Sequence, residues 1–207
     1  MNADLTTAPG HPHSAAPHSQ PGEIHEQRAL GFWLYLMGAA VLFALLFMTY
    51  GIMVGNTAGG PAGKALFSLD NAAIETALLL VSSMTFGFAS LSSRSGNRSA
   101  VLAWLAITFL LGASFVFLEI REFMGMIRAG AGPDRSGFLS AFFTLVGPHG
   151  VHVSIGLIWI LILCGQVMIK GLSLTVTSRL FRLGLFWHFL DIAWVGIFSI
   201  VYLPGLM

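Results

Sequence analysis

Along the chain, five stretches are dominated by apolar residues and separated by short polar segments. They run from Phe32 to Val54, about Ala72 to Ser92, roughly Val101 to Ile127, about Phe138 to Ile169, and about Leu183 to Leu203. About 20 apolar residues in a helix are enough to cross roughly 30 Å of hydrocarbon. The strict apolar/polar alternation of a membrane β-barrel strand is missing from these runs. The pattern predicts an all-α membrane protein, a bundle of five transmembrane helices, with no soluble domain large enough to hold a core.

Turn residues punctuate the pattern. Gly59-Gly60-Pro61 follows the first run, and Ser93-Arg94-Ser95-Gly96-Asn97-Arg98 follows the second. Ala129-Gly130-Ala131-Gly132-Pro133-Asp134 separates the third from the fourth, and Pro204-Gly205 stops the fifth. No internal repeat of the transporter kind is visible.

Composition supports the same class. Of 207 residues, 56% are hydrophobic and 9% charged, against about a quarter charged in soluble domains. The net charge of +1 gives no reason to expect a nucleic-acid partner. The single cysteine, Cys164, lies in an apolar stretch; alone it makes neither an intramolecular disulfide nor a thiolate metal cluster, and it reads as a small hydrophobe.

Residues 1–27 are rich in Pro, His, Ser, Ala and Gly and lack an apolar core. They read as a disordered cytoplasmic tail, not as a cleaved secretory signal, and residues 28–207 read as the five-helix domain. His11, His13, His18 and His25 have the chemistry for loose metal contact, but a solvated tail is the preferred reading.

Orientation follows the basic residues. Arg28, Arg94, Arg98, Lys170, Arg179 and Arg182 fall on the side of the N-terminus and the even connections, against Lys64, Arg121, Arg128 and Arg135 on the other. The bias predicts a cytoplasmic N-terminus and a C-terminus outside.

Ionisable residues inside spans are expensive and face protein or water. Glu75, Glu119, Glu122, His149, His152, His188 and Asp191 lie in or near the predicted spans. The orientation puts the first five at similar depth near the outer face, with Glu75 at the surface end of its helix, and His188 and Asp191 in the inner half of the last. Glu119/Glu122, His149/His152 and His188/Asp191 are i, i+3 pairs, each on one helix face. A hydrogen bond from a glutamate of the third helix to a histidine of the fourth is expected, and a local one between His188 and Asp191. A bis-histidine haem needs two rings facing from different helices, and copper needs a denser ligand set. The seven therefore form a structural, lipid-linked or proton-linked polar seam, with no catalytic residue, cofactor or metal in this chain. Gly147, Gly150, Gly156 and Ser154 promise close approach along the fourth helix, and Pro148 a kink.

These residues also carry a resemblance. Phe186-Trp187-His188-Phe189-Leu190-Asp191-Ile192-Ala193-Trp194 with Val201-Tyr202-Leu203 resembles the terminal signature of haem-copper oxidase subunit III. Gly147-Pro148-His149-Gly150-Val151-His152-Val153 with Gly156 is similar to that family's Gly-x-His-Gly-x-His-Val stretch, and Glu75 and Glu122 fit as well. Similarity extends from Gly31 to the end. The run Gly132 to Phe143 and the His-rich tail look like the bo-type ubiquinol oxidase branch. The resemblance implies an accessory, non-catalytic subunit of a proton-pumping quinol oxidase in aerobic respiration. It also implies a bacterial inner membrane, whose outer side, and with it the C-terminus, is periplasmic. It implies packing on catalytic subunit I, which carries haem and copper, with subunit II, a small subunit IV and membrane phospholipid as further partners. In one place the chain departs from the family: Ala39 stands where many members carry a carboxylate, so the role assigned to that acid has no carrier in the first span. The alternatives are subunit III of a cytochrome c oxidase, or a small stand-alone membrane transporter.

Overall fold

The computed structural model describes residues 21–57 and 69–206. His11, His13, His18, Lys64 and the Gly59-Gly60-Pro61 connection lie outside them. Five long helices follow in order: α1 (Pro21–Met53), α2 (Leu69–Arg94), α3 (Arg98–Arg128), α4 (Gly137–Lys170) and α5 (Leu174–Ile197). A π-helical turn, Phe198–Tyr202, and a last short turn, α6 (Leu203–Leu206), complete the chain. Among the described residues, five helices are long and apolar enough to span a membrane.

Helix ends follow local chemistry. Asn97 caps α3 by accepting from the Ala100 amide at 3.1 Å, and Ser136 caps α4 by accepting from Leu139 at 3.2 Å. Left-handed backbone at Gly96, Gly130 and Gly171 (φ 72°, 72° and 66°) turns the chain out of α2, α3 and α4, a conformation only glycine adopts freely.

Two boundaries differ from expectation. Helix α1 begins at Pro21, inside the segment read as tail. Helix α5 begins at Leu174, nine residues before the expected Leu183, with Ser173 as its cap. The intervening Thr175, Thr177, Ser178, Arg179 and Arg182 break the apolar run but not the helix. Arg179 donates to Gln166 of α4 at 2.7 Å, so its polarity is absorbed where two helices meet. Helix α4 passes unbroken through Pro148.

The leading part of α1, Pro21 to Tyr35, belongs to a unit of its own. From Leu36 onward, α2 packs on α3, α4 on both α3 and α5, and α2 closes against α5. The centre is an aromatic–glycine joint. Trp187 of α5 is buried, and its indole N–H donates to Ser82 Oγ of α2 at 3.0 Å. A Cβ at Gly112 of α3 or at Gly156 of α4 would lie 2.9 Å from the same indole ring. One side chain therefore touches three other helices. Thr85 and Thr108 tie α2 to α3 across 2.8 Å. Helix α1 reaches the rest through Phe43, Phe47 and Tyr50, whose rings meet His149, Gly196 and Phe138.

Candidate functional site

The polar seam is built where α2 begins, α3 ends and the chain leaves α5. Glu75 stands in the second turn of α2 yet is only 1% exposed, and its Oε2 has no hydrogen-bond partner. Glu75 is at the start of α2, as expected, but it lies against its neighbours instead of open to solvent. Glu122 of α3 is half-buried and accepts a hydrogen bond from the Tyr202 hydroxyl at 3.4 Å. One turn deeper, Glu119 is 4% exposed, with Oε1 unpartnered. Its carboxylate lies over Gly150 of α4, where a Cβ would come within 2.6 Å of Oε2. The close approach expected at Gly150 is real, made by a side chain. The three carboxyl groups are near enough to interact electrostatically. Beside them a cleft of about 370 Å³ is lined by Asn71, Glu75, Arg121, Glu122 and Gly125 among others.

His149 lies behind this cluster, wholly buried. Its ring faces Trp194 at 5.1 Å and Phe115 at 5.7 Å, and Nε2–H donates to the Leu190 carbonyl of α5 at 3.3 Å. Trp194 in turn donates from its indole to Thr76 of α2 at 3.1 Å. His152 turns back on its own helix, Nδ1–H donating to the Pro148 carbonyl at 2.7 Å. The expected glutamate–histidine hydrogen bond across α3 and α4 is therefore not made. Aromatic rings hold His149, and its donor is committed to α5.

His188 and Asp191 lie apart from the seam. His188 Nδ1 is 2.6 Å from Ser83 Oγ of α2 and 3.8 Å from Asp191 Oδ2, so the expected local hydrogen bond gives way to an interhelical one. Both Asp191 oxygens are buried without a hydrogen-bond partner. The His188 side chain is 51% exposed, although it sits midway along its span.

The sequence marks the charged members of these groups but not their neutral partners. Ser82, Ser83, Thr76 and Thr108 carry no signal, because serine and threonine are common in spans and commonly bond their own helix, as Ser114 does to Leu110.

No group of three or more His, Cys, Asp or Glu among the described residues is arranged to hold a metal ion. His149 is sealed among aromatic rings, His152 is bonded to its own helix, and His188 meets Ser83. The subunit expressed alone and washed is expected to show no Soret band. A stoichiometric haem signal measured by absorption spectroscopy would refute this account of His149, His152 and His188.

The family model described as cytochrome c oxidase subunit III matches residues 19–206. Cytochrome bo(3) ubiquinol oxidase subunit 3 of Pseudomonas aeruginosa is 52% identical over 196 residues, 95% of this chain and 91% of that protein. Quinol oxidase subunit 3 of Bacillus subtilis is 43% identical over 196 residues, covering 95% of this chain and 96% of the relative. Cytochrome c oxidase subunit 3 of Bacillus sp. strain PS3 is 42% identical over 193 residues, 93% of each. The matched region contains all five spanning helices, the seam and the Trp187 joint, and the chain belongs to the cytochrome c oxidase subunit III family.

Proposed function

We propose that the chain is the accessory subunit III of a proton-pumping ubiquinol oxidase, packed on a catalytic subunit I that carries the haems and copper. Subunits II and IV complete the complex in a bacterial inner membrane. The observation that carries this reading is the 52% identity, over 95% of the chain, to a ubiquinol oxidase subunit 3. A cytochrome c oxidase is the second reading, favoured by the 42% identity to such a subunit.

The surface supports assembly with a partner. A half-exposed imidazole in the middle of a span is poorly placed against acyl chains. Ser83 and His188 together form a polar patch that a transmembrane helix with a hydrogen-bonding group would cover. Orientation has its support too: Arg98 donates to the Met168 carbonyl and Arg179 to Gln166, so these arginines gather at one end with Arg94, Lys170 and Arg182. That end is read as cytoplasmic and the C-terminus as periplasmic. Glu75, Glu119, Glu122, His149, His152, His188 and Asp191 are read as a structural, lipid-linked or proton-linked polar seam.

A tag on this chain should bring down a haem-containing complex that oxidises ubiquinol and not reduced cytochrome c. Purification of the chain alone would sink the accessory reading, and cytochrome c oxidation would select the second. His188→Leu should lower the share of complexes that keep this subunit in detergent, as read from band ratios on native gels. Unchanged retention would remove the polar patch from the interface.

A further inference from the structure

The outward face of α5 carries a polar group at a depth where lipid has no partner to offer it. His188 stands fourteen residues from either end of the Leu174–Tyr202 span. The ester and headgroup oxygens of a bilayer therefore lie about 15 Å away, half of a roughly 30 Å hydrocarbon core. The side chain is 51% exposed all the same. Ser83 fixes which proton the ring presents. The hydroxyls of Ser82, Thr85 and Ser114 donate to carbonyls of their own helices. Ser83 Oγ has a different partner among the described residues, His188 Nδ1 at 2.6 Å, so the hydroxyl donates and Nδ1 accepts. The ring proton is then on Nε2, and a positively charged ring would carry the same Nε2–H. Among the described residues this N–H has no acceptor; Asp191 lies on the Nδ1 side, 3.8 Å off. An unanswered N–H in hydrocarbon is costly.

Around this N–H the surface has the form of a seat for a helix. Phe181, Leu185, His188, Ile192 and Val195 follow one another at spacings of four, three, four and three, the repeat of a helix–helix seam. Phe181, Ile192 and Val195 are exposed and Leu185 is half-buried. The stripe runs fourteen residues, about 21 Å at 1.5 Å per residue. On α2, Leu80 and Gly87 flank Ser83 on the same helix face. A Cβ at Gly87 would meet nothing within 4 Å, so a second backbone has room to come close there.

We infer that a transmembrane helix of another subunit lies along the α5 stripe and brings a hydroxyl or carboxamide oxygen to His188 Nε2–H at the middle of the span. The chemistry narrows the occupant. Acyl chains carry no acceptor, and a carboxylate costs more to bury at this depth than a neutral oxygen. A two-fold pairing of this chain with itself on the stripe would set one Nε2–H donor against another. The inference rests on the accessory-subunit reading and specifies one contact within it.

The test is made on the whole complex, with photo-reactive benzoylphenylalanine in place of Ile192 and the cross-linked product read by mass spectrometry. The expected product joins position 192 to a transmembrane segment of another subunit, with a Ser, Thr, Asn or Gln within about one helical turn of the joined residue. A lipid adduct, a second copy of this chain, a segment without such a side chain, or no protein adduct would each overturn the inference. Variants at His188 give a reading independent of photochemistry. His188→Gln keeps an N–H donor near the place of Nε2, and His188→Leu removes it. On native gels the leucine variant should release this subunit about five-fold more than the parent, the factor for one lost interhelical hydrogen bond of about 1 kcal/mol. The glutamine variant should hold it close to the parental level. Equal release by both, or by neither, would overturn the donor role. Should both variants fail to fold, Gly87→Leu leaves the ring in place and blocks the approach, and it should abolish the cross-link from position 192; an unchanged cross-link would overturn the seat. Purification of the chain alone would sink the accessory reading, whereas an intact complex with a lipid adduct at position 192 would sink this contact only.

Discussion

Trp187→Ala is expected to destabilise the subunit by about 3–5 kcal/mol, the range for emptying a buried tryptophan site. The ring is the meeting point of three neighbouring helices, and its N–H satisfies Ser82 in the bundle interior. Removing it opens a cavity bordered by the glycine backbones at positions 112 and 156, which cannot extend to fill it. The readout is the thermal release of this subunit from the purified complex, which should occur many degrees lower. The reciprocal change identifies the mechanism. Gly156→Ala places a Cβ 2.9 Å from the indole and should itself cost about 1–3 kcal/mol by overpacking. In a Trp187→Leu background that penalty should shrink, because the obstructing ring is gone. Additive costs across the cycle would show that Trp187 and Gly156 do not bear on each other.

His149→Ala should cost about 2–5 kcal/mol through cavity formation among Phe43, Phe115 and Trp194. His149→Phe should recover much of the loss, since shape and ring contacts return and only the bond to the Leu190 carbonyl is missing. Complexes that retain the variant subunit should begin turnover at the parental rate, measured as oxygen uptake in the first seconds. A collapse of initial turnover with the subunit still attached would give His149 a direct chemical part and overturn its structural assignment.

The five spans were legible because hydrophobicity alone marks a helix that must cross hydrocarbon. Helix α3, expected over Val101–Ile127 and found over Arg98–Arg128, shows how well this works when both ends carry turn residues. Helix α5 shows where it fails. The segment from Leu174 to Arg182 is helical because Ser173 caps it and Arg179 reaches Gln166, and neither interaction is an apolar signal. The seam was legible as a set of residues but not as a set of bonds. Spacing of i, i+3 says which side chains share a face, and nothing about which helix that face meets. His188 accordingly found Ser83 of α2, not its near neighbour Asp191, and Glu122 found Tyr202, eighty positions away. Glu75 was legible as lying near the start of α2 but not as buried there, because distance from a helix start says little about lateral packing.

The wide turn at Phe198–Tyr202 fixes the angular phase of everything after it. A π turn accommodates one residue more than the α-helix it interrupts, and such turns cluster at functional positions. Straightening the turn to an unbroken α-helix with all its residues kept would swing the Tyr202 hydroxyl around the axis by most of the ~100° that one α-helical residue turns, off Glu122. The single added residue thus works as a vernier, setting where the phenol points without altering the helices around it. A further residue inserted here should be felt as a rotation of Tyr202, so the segment will tolerate altered side chains at Ser199 or Ile200 far better than an added residue.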